Sequence, residues 1–111
     1  MYQLIASPTF KLCLKRLVHF LERKYTPEKA LQIKRNIQES VTKNLTHTPL
    51  IAPLSDRLLD LGITDYRQLL VGNHNLVFFR IDETNKKVIL LAVMDSRQSI
   101  QKLLSEVLLL S

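Results

Sequence analysis

The sequence contains few of the residues that mark specialised chemistry. Its 111 residues include two glycines, one cysteine and no tryptophan. Two glycines cannot build a glycine-rich phosphate-binding loop, and a single cysteine, Cys13, cannot form an internal disulfide. His19, His47 and His74 are scattered, with no metal-ligand spacing to Cys13 or to a carboxylate. Motif spacing alone therefore predicts no cofactor, no bound metal and no particular enzyme class.

Long apolar runs are also missing. The best candidates are interrupted by Lys15-Arg16 and by Asp95, and none approaches the ~20 residues of a membrane span. The start, Met1–Ala6, lacks the basic leader of a signal peptide. We therefore expect a cytoplasmic protein with no membrane partner. The length predicts a single domain over residues 1–111, and 46% apolar with 23% charged residues is typical of a globular protein.

The charge that is present lies in one part of the chain. The net charge is +6. Residues 1–43 carry nine basic and three acidic residues, whereas residues 44–111 carry seven of each sign. This asymmetry favours an acidic partner or a nucleic acid. The alternative interpretation is a pair of helices with solvated basic faces.

The first half of the chain has two helix-start signals. Tyr2–Ala6 is predicted to be a strand, and Ser7-Pro8 supplies a cap and a proline at the first helical position. Thr26-Pro27 repeats that signal. Apolar residues follow each start at helical spacing: Phe10, Cys13, Leu14, Leu17, Val18, Phe20 and Leu21, then Ala30, Ile33, Ile37, Val41 and Leu45. Two helices joined by so short a turn run antiparallel.

The second half changes to a strand pattern. Tyr66–Val71, Leu76–Ile81 and Val88–Met94 are dense in branched and aromatic residues. Gly72-Asn73 and Asp82–Lys86 separate them as short turns. The pattern predicts an antiparallel meander of three strands.

The remaining segments complete the predicted order. A loop at residues 46–53 and a short helix at 55–61 precede the meander, and a last helix capped by Ser96 or Ser99 follows it. The order β-α-α-β-β-β-α predicts a two-layer α+β fold, with an N-terminal helical hairpin packed on a mainly antiparallel sheet. Phe78 and Phe79 must then lie on opposite faces. One meets the helices, and the other needs a different cover, for which a partner is one candidate.

The stretch Tyr66–Glu83 carries a further signal. It reads YRQLLVGNHNLVFFRIDE and resembles the Y-R-x-L-x-x-G-x-[YH]-x-[IV]-[FV]-[YF]-R-x-D/E stretch of the RelE/ParE superfamily, the toxins of bacterial type II toxin–antitoxin modules. The strand Val88–Asp95 with the following Ser96–Ile100 resembles that family's last strand and its arginine-containing ending. The β-α-α-β-β-β order is also the fold that this resemblance implies.

The resemblance implies one of two mechanisms. RelE-like members cleave messenger RNA in the ribosome with mainly basic side chains and often a tyrosine, whereas ParE-like members poison DNA gyrase. The nucleases tend to carry basic residues at two places on the first meander strand, an arginine before the next strand and another after the last. Arg67 and Arg97 match two of these places, but Leu69 and Asn75 stand at the other two.

The final segment departs from the nuclease pattern as well. Where some nucleases carry a catalytic tyrosine, this chain has Leu103 or Leu104. These departures favour a ParE-like toxin that inhibits growth through DNA gyrase, with a role in plasmid stabilisation. A ribosome-dependent messenger-RNA endonuclease and a non-toxic binding module on the same fold remain as alternatives.

The candidate site residues follow from the resemblance. Arg67, Arg80 and Arg97 are predicted to bind the target, and Arg67 and Arg97 would be catalytic if the chain is a nuclease. Arg67 and Arg80 could instead be ion-pair partners of Asp65 or Asp82.

A cognate antitoxin is the other partner that the resemblance implies. Family antitoxins wrap the toxin with a tail that folds on binding, and an acidic tail suits the basic helical hairpin. The candidate antitoxin-binding residues are Lys15, Arg16, Arg23 and Lys24.

Overall fold

The computed structural model describes residues 1–110, with side chains up to residue 106. Its elements follow the predicted order, the short helix predicted at 55–61 is present, and a 3-10 turn precedes it. They are β1 (Gln3–Ala6), α1 (Pro8–Lys24), α2 (Pro27–Leu45), a 3-10 turn (Pro49–Ile51), α3 (Asp56–Leu59), β2 (Arg67–Val71), β3 (Asn75–Asp82), β4 (Lys87–Asp95) and α4 (Ile100–Leu110). The predicted α+β order is confirmed.

Side chains in the preceding turns determine where the helices begin. The Phe10 N–H donates to Ser7 Oγ at 3.0 Å, and the Lys29 N–H donates to Thr26 Oγ1 at 3.1 Å. Both caps satisfy backbone donors that have no partner inside the helix. At α4 the Lys102 N–H donates to Ser99 Oγ at 3.2 Å, so Ser99 rather than Ser96 is the cap.

The four strands form one mixed sheet in the order β1-β4-β3-β2. β1 runs parallel to β4, and the other two pairs are antiparallel, so the mainly antiparallel sheet is confirmed. The β2–β3 ladder closes with Val71 opposite Asn75. The turn therefore includes His74 as a third residue, one more than the predicted Gly72-Asn73 pair. Gly72 has φ +63°, a conformation that glycine adopts without steric cost.

The helices cover one face of this sheet. α1 packs on β4 and against α2, and Leu17, Leu21 and Ile37 are fully buried. Phe79 lies opposite Leu90, which lines the helix side of the sheet, whereas Phe78 lies opposite Ala92. The shift in register between the two phenylalanines is a β-bulge that leaves a residue of β4 unopposed. Adjacent strand positions therefore face opposite sides, as predicted.

The connection from α2 to β2 packs against part of the second face. Ser55 Oγ donates to Gln68 Oε1 at 2.9 Å, and Gln68 is the cross-strand neighbour of Phe78. Leu58, on α3, is fully buried, and Phe78 and Phe79 are both 0% exposed. The chain thus covers Phe78 with its own loop, and the suggestion that a partner does so is wrong. The sequence predicted a loop and a short helix in this segment without showing that they fold back onto the sheet.

Among the described residues, no helix has both the length and the apolar character needed to span a membrane.

Candidate functional site

Arg97 is held in a bidentate ion pair at the end of β4. Its Nε donates to Asp95 Oδ1 at 2.7 Å and its Nη2 donates to Asp95 Oδ2 at 2.5 Å. The Arg97 backbone N–H adds a third bond to Oδ1 at 2.9 Å. The Asp95 side chain is 1% exposed, against 38% for Arg97. Two of the five N–H donors of the guanidinium are therefore occupied by Asp95.

The pKa values of this pair reflect the same bonds. Burial by itself raises the pKa of the Asp95 carboxyl, but the hydrogen bonds from the Arg97 side chain and backbone outweigh burial and hold that pKa below its ordinary value. The hydrogen bond to Asp95 in turn raises the pKa of Arg97. Both groups are charged at neutral pH, and each neutralises the other.

The turn that carries Arg97 is closed by an internal bond and is fixed to two other parts of the fold. The Asp95 N–H donates to Gln98 Oε1 at 3.1 Å, and the Ser96 N–H donates to the His74 carbonyl at 2.5 Å. Arg57 Nη2, from α3, donates to the Ser96 carbonyl at 3.0 Å. Bonds from the β2–β3 turn and from α3 thus fix the segment just before α4.

A cavity of about 310 Å³ lies between this turn, the β2–β3 turn and the helical hairpin. Among the residues that line it are Tyr25, Lys29, His74, Asn75 and Arg97. The Asn75 Oδ1 atom is buried, and no hydrogen-bond donor reaches it from the described part of the chain. Asn75 and Arg97 are two of the positions that the resemblance compares with nuclease residues, and the structure places both at this cavity.

Arg67, the first residue of β2, has a structural hydrogen bond. Its Nη1 donates to the Ala52 carbonyl at 2.7 Å, tying the covering loop to the sheet. The predicted alternative of an ion pair with Asp65 is wrong, because the carbonyl occupies that donor and Asp65 makes no ion pair in the described chain. Leu69 packs against the core and Leu103 is 7% exposed, so both are packing residues.

The three arginines predicted to bind the target do not converge. Arg67 lies opposite Phe79, and Arg97 follows Asp95, which lies opposite Asn75. Four strand residues separate those positions, about 13 Å along the sheet. Arg80 lies next to Phe79 on β3 and therefore projects from the other face. No ion pair holds Arg80 within residues 1–106.

The four basic residues predicted to bind an antitoxin fall on different sides of α1. Arg16 and Arg23 line a groove between α1 and α4. Lys15 lines a second groove, on the α2 side, together with Lys34. The Lys24 Nζ lies 5.8 Å from the Phe20 ring centre, at the end of the helix. The sequence identified these basic residues but did not show that they lie on different sides of α1.

An apolar groove of about 390 Å³ borders the edge strand β1. Leu4, Phe10, Leu14 and Val41 are among the side chains that line it. Sequence reasoning missed this groove because Phe10, Leu14 and Val41 belong to helical stripes that were predicted to be buried. Leu4 and Leu14 are only partly covered.

Cys13 and His19 have the ordinary roles predicted for them. Cys13 is 1% exposed, and burial raises the pKa of its thiol, which disfavours the reactive thiolate. The His19 side chain is 66% exposed on α1. Among the described residues, no three histidine, cysteine or acidic side chains lie together as a metal site would need.

Two solved structures resemble this fold. One is the chromosomal ParDE toxin–antitoxin system from P. aeruginosa, with a TM-score of 0.68 and 20% identity over 86% of this chain and 96% of that one. The other is the RelBE2 toxin–antitoxin complex from Mycobacterium tuberculosis, with a TM-score of 0.55 and 20% identity over 85% of this chain and 96% of that one. At such identities the likeness concerns the fold.

Sequence comparison identifies the family. No curated protein matches the chain significantly. The sequence model for the ParE toxin of the type II toxin–antitoxin system parDE matches residues 4–100, which is most of the chain. The RelE/ParE resemblance is thereby confirmed on its ParE-like side, and the chain belongs to the ParE family of type II toxin–antitoxin toxins.

Proposed function

We propose that this toxin inhibits growth by acting on DNA gyrase and not by cutting messenger RNA in the ribosome. The observation that carries the proposal is the Arg97–Asp95 pair, which neutralises one of the two arginines that match the nuclease pattern. The other, Arg67, already donates to a loop carbonyl. Both candidate targets lie in the bacterial cytoplasm, which is where we place the toxin.

The chemistry of phosphodiester cleavage supports the same choice. It needs groups that take and give protons and that offset the charge developing on the phosphate. Leu69 and Leu103 are packing residues, and the buried amide of Asn75 carries no charge. Each missing proton-transfer group costs roughly 10²–10⁴ in rate. Binding to a protein target requires no proton-transfer groups, because it needs only a rigid surface with a few anchoring side chains.

The proposed target surface joins the Arg97 turn to the exposed side of α4. Arg97 keeps about a third of its side chain accessible, and Gln101 and Lys102 are exposed on the first turn of the helix. We assign the rest of α4 to this surface as well, although the side chains of 107–110 lie outside the described residues. Arg80 and Arg67 lie away from this surface. Their predicted role in target binding would therefore need a second, separate contact with the target.

We further propose that a cognate antitoxin neutralises the toxin. The solved relatives are described as a toxin–antitoxin system and a toxin–antitoxin complex. Here the apolar groove beside β1 and the basic residues of α1 offer the two kinds of contact that an acidic, folding tail would use. The predicted residues are Lys15, Arg16, Arg23 and Lys24.

The mechanism is tested by expressing the toxin briefly in bacteria and measuring three outcomes. We expect growth arrest, DNA breaks and induction of the DNA-damage response, without codon-positioned cuts in ribosome-bound transcripts. An Arg67→Ala, Arg97→Ala double variant is the control, because both arginines would be needed by a nuclease. Transcript cuts that disappear in this variant would contradict the proposal and favour the nuclease. Normal growth at verified expression would favour a non-toxic binding module.

A further inference from the structure

The groove between α1 and α4 divides into three zones along its length. At the start of α4 it is bordered by two cations, Arg23 and Lys102. In its middle it is lined by Phe20 and Leu103, and its far end holds Arg16. The three zones follow in this order because α1 and α4 run antiparallel along the groove. We refer to this feature, with a volume of about 510 Å³, as the α1–α4 groove.

One carboxylate already occupies the far end of the groove. Glu106, on α4, forms an ion pair with Arg16 across the groove, and both side chains are a little over a third exposed. Arg16 therefore already binds a carboxylate within this groove. At the opposite end, Arg23 and Lys102 are exposed and have no ion-pair partner within residues 1–106.

We propose that the α1–α4 groove is the docking site for an acidic amphipathic protein segment, with its carboxylates at Arg23 and Lys102 and an apolar side chain over Phe20 and Leu103. The zones are spaced like positions on a helix, since Arg16, Phe20 and Arg23 lie four and three residues apart. A segment with acidic and apolar residues at that spacing matches them. As the antitoxin would supply this segment, the inference rests on the proposed function.

A protein segment fits this groove better than a nucleic acid does. A phosphate backbone would place continuous negative charge along the whole groove, including the end that Glu106 occupies. An amphipathic segment meets cations at one end only and covers the aromatic and aliphatic middle, which a phosphate chain leaves exposed. The inference also divides the predicted antitoxin contacts: Arg16 and Arg23 belong to this groove, whereas Lys15 faces the other side of α1.

The test uses the purified chain and a labelled synthetic peptide in which glutamate and leucine recur at helical spacing. Binding is measured by fluorescence anisotropy at low and moderate salt. The Arg23→Glu, Lys102→Glu variant should bind at least about tenfold more weakly, because two attractive contacts become repulsive. The matched control, Lys34→Glu with Lys43→Glu, reverses the same number of charges on α2, outside the α1–α4 groove, and should change binding by less than about threefold. Equal losses in the two variants would overturn the proposal.

A second pair of variants separates the groove from overall charge. Glu106→Gln frees Arg16 and should tighten peptide binding several-fold, whereas Glu39→Gln, on the exposed side of α2, gives the same net charge and should leave binding nearly unchanged. Equal effects would overturn the proposal. Single-stranded oligothymidylate that binds more tightly than the peptide, and is lost in the Arg23→Glu, Lys102→Glu variant, would assign the groove to nucleic acid instead.

The peptide measurement does not depend on toxicity. Absence of peptide binding together with DNA damage on expression would overturn the groove and leave the proposed function intact. Peptide binding together with normal growth would support the groove and contradict the proposed function.

Discussion

The Asp95–Arg97 pair explains an arginine at an unfavourable position. Arg97 lies just before α4, where the helix dipole disfavours a cation. The carboxylate of Asp95, two residues earlier, offsets that cost through a close, bidentate ion pair. The ion pair with Asp95 therefore gives Arg97 a structural role at this position. The same bonds are what make it a poor catalytic group.

Replacing Asp95 with asparagine tests this role. We expect Asp95→Asn to lower the free energy of unfolding by about 1.5–3 kcal/mol at pH 7, because several hydrogen bonds to a charged acceptor are weakened. Since the folded pKa of Asp95 is depressed, the wild-type advantage is complete above the unfolded pKa of about 3.9 and is lost as the pH falls through the lower, folded value.

The measurement is urea unfolding followed by circular dichroism at neutral and at acidic pH. Asp65→Asn is the control, because Asp65 is exposed and forms no ion pair within residues 1–106. A difference between Asp95→Asn and wild type that stays constant down to pH 2 would contradict this account.

At the scale of elements, the connection between α2 and β2 is a structural part of the fold. Its backbone runs beside β2, where the Gln68 N–H donates to the Pro53 carbonyl at 3.0 Å and the Ser55 N–H donates to the Tyr66 carbonyl at 2.9 Å. α3 then lies over the face that carries Phe78. The loop gives this half of the sheet a second buried face.

Two neighbouring leucines of α3 allow a matched test of how this helix is anchored to the sheet. Leu58 is 0% exposed and Leu59 is 38% exposed. We expect Leu58→Ala to destabilise the protein by about 2–4 kcal/mol, because it leaves a cavity against the sheet, and Leu59→Ala by well under 1 kcal/mol. Thermal and urea unfolding of both variants give the comparison. Equal effects would show that α3 is not anchored through Leu58.

At the scale of the whole molecule, the charge distribution is the feature most relevant to partners. The first two helices carry the entire net charge of +6, and the rest of the chain is balanced. Such a field increases the association rate of an acidic partner, and salt screens it over about 10 Å at 0.1 M.

We expect the replacement of Lys15, Arg16, Arg23 and Lys24 together by glutamate to slow association with the antitoxin by at least about tenfold at low salt. Stopped-flow association rates across a salt series provide the measurement, and the wild-type and variant rates should converge at high salt. Circular dichroism checks that the variant is folded. An unchanged rate at low salt would show that these residues form only a solvated face.

The sequence by itself determined the order of the elements and the family. Capping residues, helical stripes and β-branched runs are local signals that depend on near neighbours, so Ser7, Thr26 and the three meander strands could be located from the sequence. The family motif also lies within one continuous stretch of sequence. These features needed no knowledge of which elements meet.

Only the tertiary structure decided what the charged and apolar side chains contact. The bond from Arg67 to the Ala52 carbonyl joins residues 15 apart in sequence, and the ion pair of Arg16 with Glu106 joins residues 90 apart. Neither follows from local pattern, because a hydrogen bond is fixed by packing that brings distant segments within about 3 Å. For the same reason, local sequence patterns could not show that the loop covers Phe78 or that α1 and α4 enclose a groove.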